Sequence, residues 1–187
     1  MFLISILMLW KKRGIMLDDL TEDQYLKREV FAYYGRASYY AQCLEKSIIT
    51  LLSIKRVEND INGFDKIDIF FDTDANKTFG SALKTLKEIY PELTILFANE
   101  MKEAKENRDN LAHNYWWEKA IDILHQDQYT SMIEELDSKT KLFIKMDGLI
   151  MDCISEHRKM HGITDEMYAR LVRKETGIIL VPENDGV

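Results

Sequence analysis

From Val30 onward, apolar residues return at steps of three and four: Val30, Tyr34, Ala37, Ala41, Leu44, Ile48 and Leu51. This is the period of an α-helix with one face turned inward. Just upstream, Thr21-Glu22-Asp23-Gln24 has the form of a capping box, with Thr21 as N-cap and Gln24 at the third helical position. Together they predict a long helix from Thr21 to about Val57. Gly35, Ala37, Ser38 and Ala41 keep one stretch small, so that a second helix can approach closely there.

The helical period breaks over residues 58–77, which are rich in acids and read as a loop or irregular segment. Asp72-x-Asp74-x-Asn76 imitates the start of a calcium loop. Lys77 stands where that loop needs glycine, however, and Leu83 where it needs a bidentate acid, so an EF-hand is excluded. A second helix is expected from about Thr78 to Tyr90, stopped by Pro91. A third starts near Glu92. A fourth runs from about Glu118 to Met160, with a break near Gln126-Asp127 or Gly148, and ends at Gly162. Thr164-Asp165-Glu166 opens a short last helix to about Lys174. The pattern predicts an all-α protein: an antiparallel four- to five-helix bundle over residues 18–175. Residues 1–17 form an N-terminal extension and residues 176–187 a C-terminal tail.

Composition narrows this picture. A chain of 187 residues fits one domain with a real core, and only 2 prolines argue against a turn-rich β fold. The net charge of −7 disfavours binding nucleic acid over the whole surface, although it leaves room for a local basic cleft. Cys43 and Cys153 match no metal or redox spacing and read as reduced core thiols, which implies a cytoplasmic setting. The opening MFLISILMLWKKRGIM has too short an apolar run for a membrane span, which needs about 20 residues. Its charges follow the apolar run instead of preceding it, a poor fit to a signal peptide. Met16 offers an alternative start, which would set residues 1–15 outside the fold. A membrane-surface anchor is the competing reading of this stretch, and no membrane partner is expected.

The third helix carries the candidate chemistry. Its stripe reads Leu93, Phe97, Met101, Ala104, Arg108, Leu111, Tyr115, so an arginine occupies a core-facing slot. An unpaired guanidinium cannot be buried, so Arg108 must either bridge to an acid such as Glu45 inside the bundle or open onto a cleft. Asp109 and His113 are four apart on one face, so the carboxylate can orient the imidazole or raise its pKa. An imidazole exchanges protons near neutrality, and a guanidinium fork suits the oxygens of a phosphodiester. Together they fit phosphodiester cleavage, with a base for the nucleophile and a cation for the developing charge.

Arg108-Asp109-x-x-x-His113 resembles the R-x4-H motif of HEPN domains, in which a polar residue commonly follows the arginine. With Tyr115 the pattern becomes R-x4-H-x-Y, similar to HEPN toxins paired with minimal nucleotidyltransferases. The resemblance in motif covers about eight residues, and the expected fold covers most of residues 18–175. The acidic segment at 58–77 and the N-terminal extension depart from the family. What the resemblance implies is a metal-independent endoribonuclease without cofactors, acting as a toxin or phage-defence effector. RNA is the substrate, and the motifs of two protomers of a homodimer meet in one cleft. Arg108 and His113 would be catalytic, with Asp109 supporting them and Asn110 touching substrate.

The same resemblance gives Tyr115 a role as a hydroxyl that a cognate nucleotidyltransferase antitoxin adenylylates. The competing role is a core tyrosine whose hydroxyl bonds to a buried group. Trp116 and Trp117 either stack on RNA bases or pack into the bundle or a dimer interface. A different class of function, a non-catalytic helical interaction module, would leave Arg108 as a structural ion pair. His157 and His161 read as a solvated helix end and not as a metal site, and Glu134, Glu135, Lys139 and Lys141 as a charged outer face.

Overall fold

A computed structural model describes residues 20–58, 73, 77–162, 164–166 and 168–169. The N-terminal extension, the acidic segment with its calcium-like triplet, and the C-terminal tail lie outside the described residues. Among those described, the chain is all-α, with no strand. No helix among them is long and apolar enough to cross a membrane.

Helix α1 (Glu22–Glu58) begins at the predicted capping box. The Thr21 amide donates to the Gln24 side-chain oxygen at 3.1 Å, and the Gln24 amide donates to the Thr21 hydroxyl at 3.3 Å. The reciprocal pair satisfies two amides that a helix start leaves without partners. Towards its C-terminal end α1 is buried on nearly every side: Ile48, Ile49, Leu51, Leu52 and Ile54 are all in the core. Such all-round burial marks a central helix. The hydroxyls of Thr50 and Ser53, buried with them, donate to the carbonyls of Lys46 and Ile49.

Helix α2 (Phe79–Ile89) is capped by Thr78, whose side chain accepts from the Ser81 amide. Pro91 occupies the first turn of the short α3 (Pro91–Leu96), where its missing N–H costs nothing. Helix α4 (Ala98–Asp109) follows, then a π-helical turn (Asn110–Asn114) and the single turn α5 (Tyr115–Glu118). The expected third helix is therefore one leg broken near Phe97 and loosened at Asn110. Two 3-10 turns (Asp122–Leu124 and Gln126–Gln128) replace the expected start of the fourth helix. Helix α6 (Tyr129–His161) then runs without interruption through Gly148. Gly162, at φ 64, closes it in the left-handed conformation that glycine adopts without steric cost.

The buried residues of α6, from Tyr129 and Met132 through Phe143 to Ile154, fall at helical spacing and pack on α1. Arg36 pairs with Asp137, and the Ser47 hydroxyl donates to Asp147 at 2.6 Å. Position rises along both helices together, so α1 and α6 are parallel. The α4 leg is antiparallel to both, with Glu100 near Lys145 and Asn107 near Lys139. The expected all-α bundle is thus present, with the α4 leg antiparallel to its two long neighbours and those two parallel to each other. Helices α1 and α6 are separated by the whole of the α2–α5 region, so no short connection dictates their relative direction. Only short loops force neighbours to be antiparallel.

Candidate functional site

Arg108 sits on the last turn of α4 with its side chain 27% exposed. One terminal nitrogen is 3.2 Å from Glu45 on α1, and the other is 3.3 Å from Asp109. The Phe79 ring lies 5.9 Å from the guanidinium carbon. Both partners foreseen for a core-facing arginine are present. It bridges to Glu45, and it also lines an open pocket of about 310 Å³ with Tyr34, Ser38, Ala41, Gln42, Leu111 and Ala112. The small residues of α1 help to make this space. Ala37 packs into the core, while Ser38 and Ala41 leave room that the α4 leg does not fill.

Asp109 does not orient His113, contrary to the sequence expectation. Its carboxylate is held by Lys105 at 2.7 Å and by Arg108. The hydrogen bond from Lys105, then that from Arg108, keeps its pKa below the ordinary carboxylate value. Lys105 stands one regular α-helical turn back, whereas the π turn that begins at Asn110 takes His113 out of that register. Gly80 lets α2 approach that lysine: a Cβ there would lie 3.1 Å from Lys105 Cε.

His113 is exposed and forms no hydrogen bond or ion pair among the described residues. It lies within the π-helical turn, whose closing bond runs from the Tyr115 amide to the Asn110 carbonyl. Five residues along an α-helix would leave about 140° between Arg108 and His113. A π turn takes up an extra residue per turn and narrows that angle. Relative to a regular helix, the turn therefore rotates His113 towards the Arg108 face. His113 nevertheless remains outside the pocket lining.

The weaker candidates divide. Asn110 is tied within the fold: its amide donates to Glu118 at 2.7 Å, and its oxygen accepts from Lys139 at 3.4 Å. Trp116 is half-buried against Phe31 at 4.9 Å and Tyr34 at 4.8 Å between ring centroids. Trp117 projects outward, 87% exposed. Tyr115 is a core residue, 1% exposed, and its hydroxyl has no hydrogen-bond partner. Burial, then the nearby Glu135 and Asp122 carboxylates, raises its pKa far above the ordinary phenol value. A modifying enzyme reaches that hydroxyl only if residues 110–118 first open.

Comparison with protein-family models, curated proteins and solved structures returns no match.

Lys139, expected on a charged outer face, turns inward instead. Its side chain is only 11% exposed and lies between α6 and the α4 leg, bonded to Asn107 at 3.0 Å and Glu135 at 3.2 Å. Glu135 also accepts from Lys119 at 3.0 Å. These two residues form an internal ionic brace for the motif and not the outer face expected of them. Nothing in a mixed charge run distinguishes inward from outward members. Lys105, four residues before Asp109, was legible as an i, i+4 pair. His157 is likewise buried and hydrogen-bonded to Tyr90 at 2.8 Å, not solvated.

Proposed function

We propose that this chain is a metal-independent endoribonuclease of HEPN type, a cytoplasmic toxin or phage-defence effector that cleaves RNA in a cleft shared by two copies. The observation that carries the reading is the pair at the π turn: Arg108 just before it at the wall of a pocket, and His113 within it, exposed and without a partner among the described residues. An imidazole that must exchange protons with substrate needs that freedom. One histidine deprotonates the ribose 2′-OH, whose oxygen bonds to phosphorus as the P–O5′ bond breaks. A second histidine protonates the leaving 5′-oxygen. The products are a 2′,3′-cyclic phosphate and a 5′-hydroxyl. One motif holds one such histidine, so a two-fold dimer is needed to supply both, with Arg108 balancing the charge on the phosphate oxygens.

A second reading is favoured by the Arg108–Glu45 pair. On that reading the chain is a non-catalytic helical interaction module, and the arginine braces α4 against α1. Within the first reading, a nucleotidyltransferase antitoxin controls Tyr115 through the local opening described above.

RNA cleavage in EDTA separates the two readings, with Arg108→Ala and His113→Ala compared alongside solution mass and circular dichroism. The first predicts cleavage by a dimer that either substitution reduces at least about a hundredfold with helicity intact. Cleavage that survives both substitutions removes the site assignment. A monomer that still cleaves removes the shared cleft. A folded dimer or monomer that cleaves nothing leaves the interaction module.

A further inference from the structure

The guanidinium on the pocket wall is already engaged, by the Glu45 carboxylate on the same wall. An arginine fork binds carboxylate and phosphate oxygens in the same planar, charge-assisted way. Glu45 lies at 3.2 Å on one terminal nitrogen, while Asp109, itself held by Lys105, takes the other. Of the two, Glu45 is the carboxylate that lines the pocket; Asp109 does not. Ser38 and Gln42 stand on the same wall, at i−7 and i−3 from Glu45, one face of α1. Neither side chain is hydrogen-bonded among the described residues, so a hydroxyl and an amide group on the pocket lining are unengaged. The walls are otherwise apolar, from Ala41, Leu111 and Ala112, with Tyr34 at one end. The Tyr34 ring is fixed by its own hydrogen bond to the Leu111 carbonyl at 2.9 Å. This is a preformed space with a few convergent polar groups, the usual build of a ligand site.

We propose that this pocket is the phosphate seat of the nucleic-acid site, with Arg108, Ser38 and Gln42 as its ligands and Glu45 as a built-in competitor that holds the guanidinium at rest. The inference rests on the nuclease reading for its substrate class, a phosphodiester of RNA. An incoming phosphate takes the Arg108 nitrogen that Glu45 now holds, and the Glu45 side chain turns towards the mouth of the pocket. Like-charge repulsion between the two anions makes this exchange unfavourable until neighbouring contacts of the RNA drive it. The resting site therefore discriminates against short anions and admits a polymer. Ser38 and Gln42 are the further residues that determine binding.

Binding is measured by fluorescence anisotropy with a DNA oligonucleotide, which lacks the attacking 2′-hydroxyl, for wild type and Glu45→Gln over a range of salt. The amide keeps the shape and the acceptor for Arg108 while removing the competing charge. Glu45→Gln is expected to bind about tenfold more tightly. Its slope of log K against log salt steepens by about 0.7, the increment for one more phosphate on a single strand. Adding Arg108→Ala to that variant abolishes the gain, and adding Ser38→Ala or Gln42→Ala reduces it several-fold. Glu45→Asp, which withdraws the charge by one methylene, also tightens binding. Unchanged or weaker binding by both Glu45 variants, with melting temperatures near wild type, overturns the proposal and makes Glu45 a brace. If the wild type cleaves no RNA yet the binding pattern holds, the nuclease reading falls and the phosphate seat stands. If cleavage depends on Arg108 and His113 but Glu45→Gln binds no more tightly, only the seat falls.

Discussion

The Tyr34 hydroxyl donates a 2.9 Å hydrogen bond to the Leu111 carbonyl, inside the π-helical turn. In a regular helix that carbonyl would receive the Tyr115 amide, which here goes to Asn110 instead. A side chain from α1 thus satisfies an acceptor that the π turn leaves open, and it stabilises the turn that carries His113. Tyr34→Phe removes the donor without changing the packing. The expected cost is about 1 kcal/mol, or a fall in Tm of roughly 2–4 °C for a chain of this size. Thermal unfolding followed at 222 nm measures it. An unchanged Tm would mean that the Leu111 carbonyl does not depend on Tyr34.

The same substitution at Tyr115 should act in the opposite direction. Its hydroxyl is buried and unpartnered, so it carries a desolvation cost with no hydrogen bond in return. Tyr115→Phe is expected to stabilise the fold by about 1 kcal/mol. The prediction fails if the variant melts below wild type, since that would reveal a bond to the hydroxyl.

Lys139 joins α6 to the α4 leg through Asn107, Asn110 and Glu135. Replacing it with methionine keeps most of the aliphatic stem and deletes the charge. The loss should be about 2 kcal/mol, or roughly 4–8 °C in Tm. Amide exchange of residues 107–118 should quicken more than that of α1. Uniform quickening across the molecule would show that the lysine does not specifically brace the motif.

Acid should loosen the same brace. Burial alone would raise the pKa of Glu135, but hydrogen bonds from Lys119 and Lys139 outweigh it and leave the value lowered. A carboxylate with a lowered folded pKa contributes stability above its unfolded value, about 4.3, and loses it as the pH falls through the folded value. Glu135→Gln is therefore expected to be less stable than wild type at pH 7. The gap should close as the pH drops below about 4. Urea midpoints for the two proteins at pH 7 and pH 3 give the comparison. A gap that stays constant would detach the effect from ionisation.

How much was legible in the sequence follows from what is local. The capping box at Thr21 and Gln24, the stop at Pro91 and the left-handed end at Gly162 depend on a few adjacent residues, and each formed where the pattern put it. The inward stripe of α1 is equally a matter of helical period, and Val30, Ala37, Ala41, Leu44, Ile48 and Leu51 are all buried. The anomaly of Arg108 was readable because a charge in an apolar stripe demands a partner, and Glu45 was among those named for it.

Tertiary structure alone decided the rest, because it turns on partners distant in the chain. Lys139 was one charge among several until α6 placed it against Asn107. The parallel run of α1 and α6 depends on where the intervening chain returns, which no local pattern encodes. The carbonyl that the π turn leaves open at Leu111 is met by Tyr34, far away in sequence. Local periods determined which residues form helices and which faces turn inward. Packing determined which charges meet, and so placed Arg108 against its pocket and left His113 free at the surface.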